Sequence, residues 1–425
     1  MEQPNFALIP SGIASGEVFS VLPDSGVGDF TFSRNLHTAT RINKDGLIES
    51  VASDMPRLNY EINNGVVDSC PHLLLEMQSI NLVTNSEVFN GFSKTNSTIT
   101  DNSTTSPAGD VTGAILSDDS GGGSSVVEIY QTVSVSADKQ HTMSVFAKKR
   151  GANFIALRAA NFTSPADGQS FFNLNTGAVV SAATGHTAKI ENYGNGWYRC
   201  SITFTTHSSD TTGTLVLRVS TNGTSTTVSR DGNSNIFIWG WQFEQANYAT
   251  SYIPTSSGSS TRSTESCSGA GDVNTFNSVE GILYAELKRD VDEDNGFRRV
   301  NINDGSVANT VRLGYSTVTN EIKGVVTINT STQISLVFPA PSVTSFRKMA
   351  LLYKANKFEL WVDGSKRAEN TTTSVTFPAN TLNDLSFQHS NGSDKLRAKV
   401  KDVRYYDTDG MSNTEITNLL TQLTQ

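Results

Sequence analysis

Asp290, Asp292 and Asp294 alternate in the segment DVDEDNG, with Asn295-Gly296 directly behind. Hard carboxylates crowded into one connecting loop are the oxygen ligands that calcium takes. The run starts like an EF-hand loop. Its glycine, however, falls one position late, and its twelfth position is Asn301 rather than glutamate, so it is not an EF-hand. Calcium on Asp290, Asp292 and Asp294 is the one metal the residues suggest, and no cofactor is required. Other chemistries find less. The six histidines, His37, His72, His141, His186, His207 and His389, sit in different segments, and no pair falls at helical spacing for a metal. There is no Gly-x-Ser-x-Gly elbow for a hydrolase serine. DDSGGGSS (Asp118–Ser125) is glycine-rich but lacks the lysine and following helix of a phosphate loop. A glycosidase needs only two carboxylates at the right separation. A polysaccharide-cleaving enzyme therefore stays open as the rival to the expected non-enzyme. Cys70, Cys200 and Cys267 form no metal spacing or disulfide framework, and are expected as small buried hydrophobes.

Aromatic side chains offer a different chemistry. In NIFIWGWQFEQ, two-residue alternation puts Phe237, Trp239, Trp241 and Phe243 on one face, and Ile236, Ile238, Gly240, Gln242 and Glu244 on the other. Such a stripe is either core or an exposed platform for sugar rings. Bulky inward residues are what a sandwich core needs, so core is the first expectation. A flat ring also stacks on a pyranose, which makes Trp197, Tyr198, Trp241 and Trp361 the candidate carbohydrate-binding residues.

The elements that must position these residues read as strands. Of 425 residues, 36% are hydrophobic and only 17% charged, the balance being filled by Ser, Thr, Asn and Gly. That mix suits many short strands joined by polar turns. VVEIYQTVSVSA, HTMSVFAKKRG, ANFIALRAA, SFFNLNTGAVVS, WYRCSITFTT, GTLVLRVST and NIFIWGWQFEQ follow one another between turn residues, the signature of an antiparallel sandwich or jelly roll. A second all-β series runs from GILYAELKR to LRAKVKDVRYYD, with Asp363-Gly364 predicting a type I′ hairpin. Only MSNTEITNLLTQLTQ predicts a helix. Ser412 and Glu415 form a capping box, and Ile416, Leu419, Leu420 and Leu423 form one apolar face. The fold class expected is all-β: an N-terminal attachment region (1–85), a jelly roll (86–255), a Ser/Thr/Gly linker (256–273) and a second sandwich with a C-terminal helix (274–425). The first of these has too many Pro, Gly, Asn and Asp interruptions for a large core of its own, and is expected to fold against a partner chain.

Net charge −9 disfavours nucleic acid, and no stretch approaches the apolar length of a membrane span. The N-terminus lacks the basic and apolar regions of a Sec signal peptide.

Two stretches, Thr40 to Glu49 (TRINKDGLIE) and Leu74 to Leu82 (LLEMQSINL), resemble recurring cores in the N-terminal region of tailed-phage virion proteins. GNGWYRC and IWGWQFEQANYATSYIPT resemble the carbohydrate-binding-module-like jelly roll of the same proteins, with Trp241 where a small residue is usual. EGILYAEL to KVKDVRYYDTDGMSNTEITNLL resembles a concanavalin A-like, laminin-G-like sandwich. The resemblance implies a virion-surface appendage, a head or tail fibre or spike, assembled in the host cytoplasm. Its N-terminal region would contact other virion proteins, and its sandwiches would bind host surface polysaccharide. It also implies a homotrimer, and that the face carrying Trp239 is internal. Alternatives are a polysaccharide-degrading spike and a purely structural decoration protein.

Overall fold

The computed structural model describes residues 2–36, 38–163, 168–292 and 298–425. Its sheets are antiparallel, and the α-helix Asn413–Thr424 closes the chain. The all-β expectation holds.

The middle of the chain is a sandwich of two six-stranded sheets. One contains the strands Glu128–Ser134, Thr212–Ser220 and Phe154–Ala160; the other contains Gly113–Asp118, Asn235–Glu244, Gln140–Lys149, Trp197–Thr205 and Thr187–Gly194. Ile129, Leu157 and Leu217 from the first sheet meet Met143, Cys200 and Phe243 from the second in one core. Each such side chain contributes about 1.5–3 kcal/mol on burial.

The aromatic strand Asn235–Glu244 departs from strict alternation. Gly240 stands at φ +61° and leaves an extra residue opposite the neighbouring strand, so that Ser144 pairs with Gln242 but Phe146 pairs with Trp239. This bulge changes the side facing inward. Ile236 and Ile238 join Trp241 and Phe243 in the sandwich core, whereas Trp239, with Phe237 against it, packs on the opposite face with Phe146, Trp197 and Tyr252. That outer face is covered by the N-terminal segment, whose Ile48 joins the cluster.

The C-terminal part pairs a five-stranded sheet with an eight-stranded one. Three strands of the larger sheet come from the chain's beginning. Phe6–Leu8 pairs Ala398–Tyr406 (Phe6 opposite Tyr405), His72–Leu75 pairs the same strand (Leu73 opposite Val400), and Leu58–Asn59 lies outside His72–Leu75. Phe6, Phe30, Leu73 and Leu75 accordingly lie in the same core as Leu283, Val300 and Leu351. The segment 1–85 thus folds against its own C-terminal sandwich rather than awaiting a partner chain. Nor is 256–273 a tether. Ser260–Arg262 pairs Ser79–Asn81, and Ser266–Ser268 pairs Phe30–Ser33.

Local signals are met at the C-terminal end. Asp363 and Gly364 both have positive φ, at 48° and 75°, between Phe358–Val362 and Ser365–Asn370, as a type I′ turn requires. Ser412 caps the helix through the full capping box, and Ile416, Leu419, Leu420 and Leu423 are buried. They pack on Ile282, Tyr284, Leu352, Trp361 and Tyr406 of the eight-stranded sheet. Cys200 and Cys267 are buried as expected; Cys70 is exposed, because it sits in the turn leading into His72–Leu75.

Candidate functional site

A cleft of 530 Å³ opens where the N-terminal segment, the middle sandwich and the C-terminal sandwich meet. Its floor is the outer face of the sheet that carries the aromatic strand. Asn195 and Gly196, at φ 51° and 80°, turn Thr187–Gly194 back into Trp197–Thr205. Alternation then aims Thr187, Lys189, Glu191 and Tyr193 from one strand, and Arg199, Ser201 and Thr203 from the other, into the cleft. The residues between them, Ala188, Ile190, Cys200, Ile202 and Phe204, face the sandwich core. The N-terminal segment supplies Tyr60 and Glu61, the loop after the aromatic strand supplies Tyr248, and the C-terminal sandwich supplies Lys288, Asp290 and Lys399.

Three half-buried tyrosines, Tyr60, Tyr193 and Tyr248, give the cleft ring faces and hydroxyls. Burial pushes the Tyr193 and Tyr248 phenols up, so both stay neutral. The acids behave oppositely. Burial alone would raise Glu61, but it accepts from Lys288 Nζ at 2.5 Å and Lys399 Nζ at 2.9 Å, and the two ammonium groups hold it down at about 2. Lys399 also meets Asp290 at 2.8 Å. Glu191 is lowered because its ion pair with Lys189, at 2.8 Å, outweighs its burial.

Beneath the cleft lies a buried ionic joint. Arg57 donates from Nε and Nη2 to the two oxygens of Glu265, at 2.7 and 2.5 Å, and from Nη1 to Glu76 at 2.8 Å. Arg34 donates to Glu265 at 2.9 Å. Ser251 donates to Glu76 from its backbone N–H at 3.0 Å and its hydroxyl at 2.6 Å. Arg262 stands 3.4 Å from Glu76 and donates to the Ser251 hydroxyl at 3.0 Å. The joint ties the N-terminal segment, the segment 256–273 and the end of the middle sandwich together. Burial raises Glu76, but Arg262 and Arg57 outweigh it and keep it ionised. Lone buried charges are costly, whereas mutually hydrogen-bonded ones persist.

The rings singled out from the sequence lie elsewhere. Trp241 is 0% exposed in the core, packed edge-on to Phe92. Trp197, 2% exposed, donates its indole N–H to Thr105 O at 3.0 Å, and Trp361, 7% exposed, lies under the C-terminal helix. Tyr198 is half-buried against the sandwich core. None of the four lines the cleft, and the three tryptophans present no open face to a sugar. Bulky rings were drawn into core positions by the area they bury. The cleft-lining residues that sequence reasoning did not single out include Tyr60, Tyr193, Tyr248 and Arg199. Arg199 lies within GNGWYRC and Tyr248 in the loop after WGWQFEQ, so the quoted motifs do contain residues that line the cleft.

Of the acidic loop, Asp294 falls outside the described residues. Asp290 is engaged by Lys399, while both oxygens of Asp292 are buried without a hydrogen-bond partner among the described residues. No group of three or more metal-ligating side chains converges among the described residues.

No protein-family model matches the chain, and no curated protein matches it either. Solved structures that resemble it include carbohydrate-binding modules, a sialidase and laminin-G domains. The CBM40 of Ruminococcus gnavus IT-sialidase bound to alpha2,3 sialyllactose is 14% identical, over 35% of this chain and 83% of that one, at a TM-score of 0.28. Domain 4 of AbnA, a GH43 extracellular arabinanase from Geobacillus stearothermophilus, in complex with arabinotriose, is 9% identical, over 42% and 83%, at 0.30. Mouse laminin alpha1 chain domains LG4-5 are 11% identical, over 65% and 84%, at 0.22. At these scores the likeness carries no argument.

Proposed function

We propose that this protein is a non-enzymatic glycan-binding subunit of a phage virion appendage, and that the three-way cleft is its binding site. The observation that carries the reading is the lining: three half-buried tyrosines interleaved with hydroxyls, carboxylates and ammonium groups in one 530 Å³ concavity. Ring faces stack on the apolar face of a sugar, and the surrounding polar groups match its hydroxyls. The non-enzymatic part draws support from protonation. Glycosidic cleavage needs a carboxylic acid kept protonated near neutrality, whereas ion pairs hold Glu61, Glu76 and Glu191, three of the four acids lining the cleft, below their ordinary range. The virion part rests on the resemblance of TRINKDGLIE and LLEMQSINL to recurring cores of tailed-phage virion proteins. Display in several copies on one particle would raise weak single-site affinity.

The test is a bacterial-surface glycan array probed with the full-length protein and with a Tyr193→Ala/Tyr248→Ala variant. Saturable binding to a subset of glycans, weakened at least about tenfold in the variant, is expected. Folded protein that binds no glycan would overturn the binding reading in favour of a structural ornament. Reducing ends released from a bound polysaccharide would overturn the non-enzymatic one. Antibody against the purified protein should label particles of the phage encoding it, and unlabelled particles would end the virion reading.

A further inference from the structure

Arg199 sets the chemistry of the cleft apart from that of a neutral sugar site. The side chain is 3% exposed, yet it lines the cleft. Nη1 donates to Thr250 O at 2.7 Å and Nη2 to Ser144 Oγ at 3.0 Å, while the guanidinium lies over the Phe146 ring, 5.3 Å from its centroid. Nε has no hydrogen-bond partner. No described carboxylate comes within ion-pair distance of Arg199, in contrast to Arg34, Arg57 and Arg262 in the joint below. Glu191 is the nearby acid: its direct ion pair is with Lys189, though it also feels the Arg199 charge, and the Tyr193 hydroxyl interacts with the guanidinium. A buried guanidinium held by a carbonyl, hydroxyls and a ring, with no direct carboxylate partner among the described residues and its Nε–H unused, keeps a hydrogen to spare for an anion that enters the cleft.

The rest of the lining agrees. Among the described lining residues, Arg41, Lys189, Arg199, Lys288 and Lys399 face Glu61, Glu76, Glu191 and Asp290, and Arg41 is itself paired with Glu49 at 2.6 Å, so the charges balance. On a chain of net charge −9 the cleft is thus locally balanced, and Arg199 is the lining cation without a direct carboxylate partner among the described residues. In a concave, partly dehydrated site a charge is little screened, and a planar guanidinium is suited to a carboxylate.

We propose, resting on the glycan-binding reading of this cleft, that its ligand is an acidic glycan whose sugar carboxylate is recognised by Arg199. Tyr193, beside Arg199 in the lining, and Tyr248 would hold the ring that carries the carboxylate. Recognition of this kind rejects the neutral analogue, because it leaves the buried charge unmatched.

The experiment needs no variant at first. Full-length protein is titrated with a uronic-acid hexasaccharide and a sialylated trisaccharide, each native and carboxyl-reduced. Maltohexaose serves as the neutral probe and dextran sulfate as the plain polyanion, and the glycan array described above covers the remaining sugars. We expect at least one native acidic glycan to bind, its carboxyl-reduced form to bind at least tenfold more weakly, and added salt to weaken only the native form. Arg199→Gln should abolish the native-to-reduced difference, with Arg199→Lys restoring part of it, each compared after its melting curve establishes folding. If the reduced forms or neutral glycans bind as tightly as the acidic ones, the acidic-ligand inference falls while glycan binding stands. If dextran sulfate competes as well as any acidic sugar, the attraction is general to polyanions and the inference falls likewise. If no sugar binds at all, the glycan-binding reading and the inference fall together.

Discussion

Gly240 decides more than any other single residue how the middle sandwich faces its neighbours. It lies at φ +61°, and a Cβ there would stand 2.9 Å from the Phe146 ring. The bulge it permits sends Trp239 out to meet Tyr252 and the N-terminal hairpin, and Trp241 in to the core. Gly240→Val should therefore destabilise the protein by about 2–4 kcal/mol, from left-handed backbone strain in a β-branched residue plus overpacking on Phe146. Chemical denaturation followed by tryptophan fluorescence would measure it, and a change within error of zero would mean that the strand tolerates regular pairing. Glu61 makes a second residue-scale case. Its carboxyl is lowered to about 2 from an ordinary 4.5 by Lys399 and Lys288. A lowered pKa means stabilisation that is complete above the unfolded value and lost as pH falls through the folded one. Wild type should therefore melt above Glu61→Gln at neutral pH, and the gap should close between about pH 4.5 and 2. A gap independent of pH would show that the glutamine loses packing rather than charge.

At the scale of the element, the C-terminal helix is the clearest test. A helix this short is marginal in water, so its stability comes from Ile416, Leu419, Leu420 and Leu423 against the sheet. Ser412→Ala removes the N-cap hydroxyl that accepts from Glu415 N–H, and should cost about 0.5–2 kcal/mol. Leu420→Ala, at a fully buried position, should cost about 2–5 kcal/mol. Removing residues 412–425 uncovers Trp361, Tyr284 and Tyr406 together. Trp361 should then become open to acrylamide quenching, and the fragment should self-associate through the exposed face. A truncated chain that stays monomeric and unquenched would contradict this packing.

The whole molecule is held by pairings that run from its first residues to its last. Phe6 opposite Tyr405 and Leu73 opposite Val400 make the N-terminal segment part of the C-terminal sandwich, and the Arg57–Glu265–Glu76 joint fastens the middle sandwich to both. A fragment of residues 274–425 lacks Phe6, Phe30, Leu73 and Leu75 of its core and the strands that flank Ala398–Tyr406 on the side away from Gly281–Lys288. Expressed alone it should be a molten or aggregated species without dispersed amide resonances. Co-expression with residues 1–85 should improve it. A well-dispersed, cooperative fragment would show that the N-terminal strands are dispensable. The cleft is a product of the same scale, since no single sandwich encloses it.

Strand periodicity, the Asp363-Gly364 turn and the Ser412–Glu415 capping box were legible in the residues because each is local: a two-residue alternation, a pair of positive-φ positions, a three-residue spacing. Long-range decisions were not legible. Arg262 and Glu265 stand in a Ser/Thr/Gly run whose composition reads as linker, and only contact with Arg57 and Glu76 across the fold makes them a joint. Trp241 and Trp239 are indistinguishable by alternation until Gly240 bulges. Tyr60, Arg199 and Tyr248 are far apart along the chain, and nothing local says that they line one cavity. The amino-acid sequence by itself determined that this protein is a series of antiparallel strands ending in one docked helix, because those choices follow from backbone geometry and side-chain period. The tertiary structure alone decided which faces are covered, which charges are paired and where a cleft remains, because burial and pairing are properties of groups that meet in space.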